Sequence, residues 1–183
     1  MSRTITVLLF GFTLSATVQA QTYPLAEDVE TVDGIMKAYY EVVSAPPGEA
    51  RNWARDRSLH HPEAQVAIIR TGEGGKPLLD VMTLTDFHGG SGEVTEEGFF
   101  EYEINRIVQR HGSVAHVWSV YEWKHTEDGD PMGRGVNTIQ MYHDGNRWWI
   151  TSWMYDGTRD APPVPEKYLL GSRGELGDGG EHR

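Results

Sequence analysis

Hydrophobic residues recur at two spacings along the chain, and the change of spacing separates a helical part from a strand-rich part. Between residues 27 and 44, apolar side chains return every three or four positions, which predicts an amphipathic helix. A second, shorter helix is predicted from Glu49 to Leu59, with Trp53 on its buried side. It ends before Pro62, because the residue that precedes a proline avoids the helical region.

Shorter elements follow these two helices. Strands are predicted over 65–70 and 78–84, on either side of a glycine-containing turn, and the Gly-rich residues 87–93 are predicted to form a loop. Thr95 is suited to cap a short helix over 96–103, whose first turn carries the acidic residues that a helix dipole favours. This segment therefore predicts a strand pair followed by a third helix.

From residue 104 onward the hydrophobic period is two, which is typical of β-strands. The predicted strands span 104–109, 113–125, 136–143 and 148–155, and Asp144-Gly145 is a tight hairpin signal between the last two. Helices grouped ahead of a run of strands predict an α+β domain. A long, twisted meander with helices on one face can enclose a pocket.

The first twenty residues have a different character. A basic start at Arg3 precedes an apolar run over 5–14, and Val18-Gln19-Ala20 puts small side chains where a signal peptidase cleaves. The run is roughly half the length that a bilayer span needs. We therefore expect a signal peptide at 1–20 and export to the periplasm or the medium. The rest divides into a lead at 21–26, a domain at 27–156 and a partly disordered, Pro- and Gly-rich tail at 157–183.

Charge and composition exclude several classes of function. The chain has 16 Lys and Arg against 27 Asp and Glu. Acidic surfaces repel phosphate backbones, so we expect no nucleic-acid partner. The absence of Cys rules out disulfides, thiolate catalysis and thiolate metal sites. The histidines follow no metal-binding spacing and no glycine loop has nucleotide-binding spacing, so neither a metal nor a cofactor is predicted, and the mature chain has no membrane-spanning stretch.

Three groups of residues resemble the NTF2-like superfamily, in particular its SnoaL-like bacterial members. They are the helix segment 35–40, the step Leu59-His60-His61-Pro62-Glu63-Ala64, and the strand segments 115–121, 135–141 and 144–150. The resemblance implies a cone in which three helices pack on a strongly curved, mostly antiparallel sheet with an internal pocket. It also implies dimerisation through the outer sheet face. The superfamily includes isomerases, hydrolases, cyclases, dehydratases and binding domains, so the resemblance does not fix an activity.

The candidate site consists of polar and aromatic residues on these elements. The predicted pocket residues are Tyr39, Trp53, His61, Ser119, Tyr121, Asn137 and Gln140. Phenols and imidazoles can exchange protons with a substrate, so Tyr40, His61 and Tyr121 are the catalytic candidates. Glu122 is the only acid on strands 113–125 and 136–143, and it lies on the face opposite Tyr121.

The last predicted strand carries aromatic residues on both faces. Alternation places Trp148, Ile150, Ser152 and Met154 on one face and Trp149, Thr151, Trp153 and Tyr155 on the other. One face has to pack on the helices. Large exposed apolar patches usually mark interfaces, so we expect the other face to form a homodimer.

Three functions fit these observations. The first is an exported pocket protein that binds a small, mostly apolar molecule. The second is a cofactor-free lyase or isomerase that uses the pocket tyrosines and a histidine or acid for proton transfer. The third is a non-catalytic homodimeric assembly domain. The sequence leaves open whether the protein is an enzyme.

Overall fold

The computed structural model describes residues 21–92, 94–157, 161–169 and 174–175. The predicted signal peptide at 1–20 lies outside the described residues, as does most of the predicted tail beyond residue 169. Among the described helices, none is both long and apolar enough to span a bilayer.

Four α-helices occur in the described ranges: α1 (Ala26–Val29), α2 (Val32–Val43), α3 (Trp53–Leu59) and α4 (Leu84–Ser91). The segment predicted as one helix over 27–44 is thus two helices. Thr31 separates them, because its backbone is extended and its side chain accepts a hydrogen bond from the Gly34 N–H. A threonine in this role stabilises the start of a helix by satisfying one of its free N–H groups.

The strands form one sheet in the order β2-β1-β6-β5-β4-β3-β7. Their bounds are β1 His60–Thr71, β2 Pro77–Thr83, β3 Phe100–His111, β4 Val114–Lys124, β5 Gly133–His143, β6 Trp148–Asp156 and β7 Gly174–Glu175. Neighbours pair antiparallel except β1 with β6 and β3 with β7. The prediction of a mixed α+β domain is therefore confirmed, with four helices instead of three.

The core lies between α2 and one face of the sheet, which we call the inner face. Ile35 and Met36 of α2 are fully buried against Val117, Ile139 and Ile150 of three neighbouring strands. Each apolar side chain removed from water in this way contributes roughly 1.5–3 kcal/mol. This packing fixes the distance between α2 and the sheet.

The helix predicted over 96–103 is wrong. β3 begins at Phe100, and its first residues pair with β4, so that Glu101 lies opposite Trp123 and Glu103 opposite Tyr121. Gly98 has a φ of 75°, which a continuing helix does not allow. Short helices are marginal in water, and here the ladder of β4 outweighs the weak helical preference of a short acidic segment.

The predicted loop over 87–93 is also wrong, since α4 occupies most of it. Thr83 and Asp86 form a capping box at its start: the Asp86 N–H donates to Thr83 Oγ1 at 3.1 Å, and the Thr83 N–H donates to the Asp86 carboxylate at 3.3 Å. Such a reciprocal pair satisfies two free donors of the first turn. The capped start therefore overcomes the low helix propensity of the glycines that follow.

A bulge in β6 corrects the predicted division of its faces. Met141 of β5 pairs with Ile150 and Gln140 pairs with Ser152, so that Thr151 is an extra residue without a partner position. An extra residue shifts the alternation by one from that point onward. Trp153 and Tyr155 consequently share the inner face with Trp148 and Ile150, instead of lying on the opposite face.

Candidate functional site

A cavity of about 360 Å³ lies between the inner face of the sheet and helices α2, α3 and α4. Aromatic rings form most of its wall: Trp53, Phe87, Phe99, Trp123, Trp153 and Tyr155. Ligand pockets commonly measure about 300–1,000 Å³, so this cavity suits a small molecule. The β6 bulge is what brings the last two rings into the wall.

Four of the residues predicted for the pocket line this cavity, namely Tyr39, Trp53, Tyr121 and Asn137. Three others lie elsewhere. Ser119 is fully buried one layer behind the wall, and His61 lies outside the cavity, beside Trp149. Gln140 is exposed on the outer face, where its side chain bonds to His116 at 2.7 Å. His61 and Gln140 therefore have to be removed from the candidate site, because the actual strand register points them away from it.

The cavity contains one acid that the sequence reasoning missed. Glu101 reaches the inner face from β3, and Asn137 Nδ2 donates a hydrogen bond to its Oε1 at 3.3 Å. Burial raises the pKa of Glu101 to about 7, although the Asn137 bond and the charge of Arg51 act in the opposite direction. The alternation of Phe100 and Tyr102 with Glu101 and Glu103 is typical of a strand. It could have located this acid, but the segment was predicted to be a helix.

Tyr40 connects this acid to a second one. Asn137 Nδ2 also donates to Tyr40 Oη at 3.3 Å. Tyr40 Oη lies 2.7 Å from Ser119 Oγ, which donates to the Glu103 carboxylate at 2.5 Å. Since the serine proton is used on Glu103, Tyr40 is the donor in its bond to Ser119. Burial raises the pKa of Tyr40 well above its ordinary value, so this phenol stays neutral and acts as a support behind the wall.

Tyr121 presents the other phenol of interest. A Cβ at Gly135 would lie 2.5 Å from Tyr121 Oη, so glycine at this position is what lets the ring lie against β5. Burial raises the pKa of Tyr121, and the nearby Glu101 carboxylate raises it further. Within the described ranges its hydroxyl has no hydrogen-bond partner. Tyr121 therefore offers a protonated, unused donor to the cavity.

Arg51 closes the rim of the cavity. Its guanidinium lies 5.4 Å from the ring centres of both Trp53 and Phe99. Its Nε donates to the Val43 carbonyl at 2.9 Å and one terminal nitrogen donates to the Ser91 carbonyl at 3.1 Å. These carbonyls belong to the ends of α2 and α4, where a positive charge is favourable. Arg51 thus joins the two helices that flank the cavity.

A wider groove of about 1,020 Å³ lies on the other side of Glu101, between α2 and the edge of β3. It is open, and its lining includes two ion pairs: Arg106 contacts Asp33 at 3.0 Å, and Lys37 contacts Glu41 at 3.6 Å. Paired charges facing solvent bind ligands weakly because water competes with them. The aromatic cavity is therefore the stronger candidate site. No cluster of three or more potential metal ligands occurs in the part of the chain that the structure describes.

Comparisons with known proteins give similarity in architecture only. No family model matches the sequence, and a comparison with characterised proteins finds no match. Among solved structures, a protein of unknown function with a cystatin-like fold from Nostoc punctiforme is 13% identical, with a TM-score of 0.44 over 57% of this chain and 75% of that one.

Two further solved structures are similar in the same way. A putative ketosteroid isomerase from Shewanella frigidimarina is 18% identical, with a TM-score of 0.39 over 57% of this chain and 80% of that one. An NTF2-like protein of unknown function from Methylobacillus flagellatus is 16% identical, with a TM-score of 0.43 over 68% of this chain and 90% of that one. These names agree with the NTF2-like resemblance and not specifically with its SnoaL-like members. At such scores the matches carry nothing about activity.

Proposed function

We propose that the protein binds a small, flat, mostly apolar molecule in its aromatic cavity and moves a proton on it without a cofactor, as an isomerase or a lyase. One observation supports this above all: the Glu101 carboxylate lies in an aromatic cavity, and burial there raises its pKa to about 7. A base works best when its pKa is near the working pH. A carboxylate kept at such a pKa is costly to the fold, and perturbed groups in cavities are typical of active sites.

The reaction follows from what faces the cavity. Ionised Glu101 removes a proton from a carbon next to a carbonyl group, and the C–H electron pair moves onto the carbonyl oxygen to give an enolate. Tyr121 donates its hydroxyl proton in a hydrogen bond to that oxygen. Return of the proton from Glu101 to another carbon completes an isomerisation, whereas departure of a group from the neighbouring carbon completes an elimination.

Two side chains act on the base in this step. Asn137 donates to both Glu101 and Tyr40, so the direction of the carboxylate is fixed by the Tyr40 network behind it. Arg51 acts on Glu101 only through its charge, which keeps part of the population ionised at neutral pH. The site therefore contains a base, a hydrogen-bond donor, and two side chains that orient the base and keep it partly ionised.

The test uses 5-nitrobenzisoxazole, a flat bicyclic compound that is opened by removal of a single C–H proton. The electron pair of that bond forms a nitrile, the N–O bond breaks, and a coloured phenolate is released. We expect turnover that rises with pH about a midpoint near 7. Glu101→Gln should lower the rate at least about 100-fold, because a positioned base contributes roughly 10²–10⁴.

Glu122→Gln is the matched control, since Glu122 is a glutamate on the outer face of the neighbouring strand, paired with Arg134. It should leave the rate and the pH midpoint unchanged. A Glu101→Gln variant as active as the wild type would sink the proposal, and so would a midpoint near the ordinary value of 4.5.

The aromatic wall by itself favours a second candidate, a binding protein that does not turn its ligand over. It is distinguished by fluorescence titration with 2-naphthol. If wild type and Glu101→Gln bind this probe equally and neither acts on 5-nitrobenzisoxazole, binding is the function.

The outer face of the sheet supports the proposal of a homodimer. It carries exposed apolar side chains on four strands, namely Leu79, Val81, Val114, Tyr142 and Met154. Near β3 and β4 this face is already covered, since Tyr168 packs on Trp118 and its carbonyl accepts a bond from Asn105. We place the dimer contact on the remaining part, around β1, β2, β5 and β6. A dimer without a ligand would correspond to the assembly function that the sequence left open.

Export remains a proposal that rests on the sequence of residues 1–20. Expression of the full chain in a Gram-negative host, followed by N-terminal sequencing of the periplasmic fraction, tests it. Export predicts a mature protein that starts at Gln21, and an uncleaved cytoplasmic product would contradict it.

A further inference from the structure

A buried network of one carboxylate and two imidazoles lies behind two walls of the cavity. Asp56 of α3 is 2% exposed, His60 at the start of β1 is 2% exposed, and His88 of α4 is 7% exposed. Burying a charged group costs several kcal/mol unless hydrogen bonds compensate. Proton transfer by Glu101 does not use this network, so it needs a separate explanation.

The distances assign a partner to three of the four ring nitrogens. His88 Nε2 lies 2.6 Å from Asp56 Oδ2. His60 Nδ1 lies 2.9 Å from the Asp56 carbonyl oxygen and 3.3 Å from its carboxylate. On the other side of the same ring, Trp153 Nε1 donates to His60 Nε2 at 3.0 Å. His88 Nδ1 is buried and has no hydrogen-bond partner among the described residues.

These contacts determine where the protons are. An indole N–H can only donate, so His60 Nε2 must accept and the proton of that ring is on Nδ1, facing Asp56. His88 carries its proton on Nε2, where the carboxylate accepts it. A second proton on His60 would set two N–H groups against each other at Trp153, so this ring holds a single proton even though Asp56 outweighs burial and raises its pKa. Burial disfavours the charge of Asp56, but its contacts with His60 and His88 outweigh burial, so the net effect is a lowered pKa.

Each imidazole supports one tryptophan of the cavity wall. The His88 ring stacks on Trp53 with centres 4.3 Å apart and planes 17° apart. His60 holds the indole nitrogen of Trp153. Phe87, which precedes His88, packs edge-on against Trp153 at 4.8 Å. Three rings of the wall are thus connected to a single carboxylate.

We propose that Asp56 is a positioning residue that sets the width of the aromatic cavity, through His60 on Trp153 and through His88 on Trp53, and so selects flat ligands. Replacing buried charges by apolar groups is often neutral or stabilising, so stability alone does not account for this network. This proposal rests on the proposed function, because it concerns the ligand of the same cavity. Its test does not depend on turnover.

The test compares Asp56→Asn with Asp28→Asn. Asp28 is also an aspartate with 2% exposure, and it is held by Arg55 at 2.6 Å, away from the cavity wall. The two imidazoles face different oxygens of the carboxylate. In the asparagine one of these positions becomes an NH₂ group, which cannot accept a hydrogen bond. One ring in Asp56→Asn therefore has to move its proton or its position, whereas both rings keep their partner in Asp28→Asn.

Three measurements read this out. In the wild type near pH 7, ¹⁵N NMR should show a single proton on His60, at Nδ1, and a proton on Nε2 of His88. The indole N–H signals of Trp53 and Trp153 should move in Asp56→Asn and stay in place in Asp28→Asn. Binding of 2-naphthol should weaken about tenfold or more in Asp56→Asn only, since misplacement by about 1 Å can cost up to about 100-fold.

The outcomes separate the two proposals. If 5-nitrobenzisoxazole is turned over, Asp56→Asn should raise KM while the pH midpoint of turnover, set by Glu101, stays near 7. Unmoved indole signals in Asp56→Asn overturn the positioning role, as does a doubly protonated His60 in the wild type. Loss of Glu101-dependent turnover, by contrast, refutes only the proposed function. If Asp56→Asn does not fold, His88→Leu removes one support, and it should move the Trp53 signal and leave Trp153 bonded to His60.

Discussion

Replacing Glu101 by glutamine should make the protein more stable, and only above a certain pH. The glutamine keeps the size of the side chain and an oxygen that Asn137 can bond to, but it has no charge to bury. In the wild type the folded pKa is about 7, against an ordinary value of 4.5 in the unfolded chain. This interval corresponds to about 3 kcal/mol of unfolding free energy.

The sign follows from counting protons. Below pH 4.5 both states of the wild type hold the proton, and Glu101 costs the fold nothing electrostatically. Between pH 4.5 and about 7 the unfolded chain releases the proton and the folded chain keeps it, so stability falls as the pH rises. Above about pH 7 both states are ionised and the full penalty remains. Glu101→Gln should therefore match the wild type at pH 4 and exceed it by up to about 3 kcal/mol at pH 8.

Urea unfolding of both proteins at several pH values between 4 and 8 measures this difference. Glu122→Gln, changed in the same way on the outer face, controls for the general effect of removing one negative charge from an acidic protein. A difference that is constant over this pH range would refute the reasoning. So would a variant that is less stable than the wild type at pH 8, because either result means that Glu101 does not bear a burial penalty.

Three further results are expected. Gly135→Ala puts a Cβ within 2.5 Å of Tyr121 Oη. Displacement of that ring should lower the unfolding free energy by about 1–3 kcal/mol, measured with urea, and should also lower turnover of 5-nitrobenzisoxazole. An unchanged rate would argue against Tyr121 as the hydrogen-bond donor. Thr83→Ala removes the capping box of α4 and should lower the unfolding free energy by about 1 kcal/mol; no loss would mean that α4 is held by its ring contacts alone. Val81→Asp puts a charge on the exposed outer face and should convert a dimer to a monomer in sedimentation equilibrium, whereas a wild type that is already monomeric at high concentration would contradict the dimer.

The order of elements could be predicted because most of them depend on local signals. The apolar spacing of α2, the proline after α3 and the Asp144-Gly145 hairpin each determine structure within a few residues. One of the errors occurred where a distant contact decides. The segment 96–103 has acidic residues suited to a helix start, yet pairing with β4 makes its end a strand. In α4, Gly89 and Gly90 concealed a helix that depends on its Thr83 cap.

The candidate site was harder to predict because it depends on register. The spacing of side chains along single helices and strands was enough to find Tyr39, Trp53, Tyr121 and Asn137. Glu101 was missed together with the strand that carries it. Because no acid was predicted in the pocket, the sequence favoured ligand binding over catalysis. Gln140 was placed on the wrong face for a related reason, since which residues point inward is settled by pairing between strands. The relation of Asp56 to Trp153 spans three elements and has no sequence signature.

The extra residue in β6 determines which side chains of this strand face the cavity. Up to Ile150 the strand supplies aliphatic and aromatic packing for the core, and beyond Thr151 the same alternation delivers Trp153 and Tyr155 to the cavity. In a relative that kept every residue but formed this strand without the bulge, both rings would face solvent, and Ser152 and Met154 would face the cavity. Substrate choice in such proteins could therefore change with the presence or position of the bulge, a route that comparison of aligned positions does not reveal.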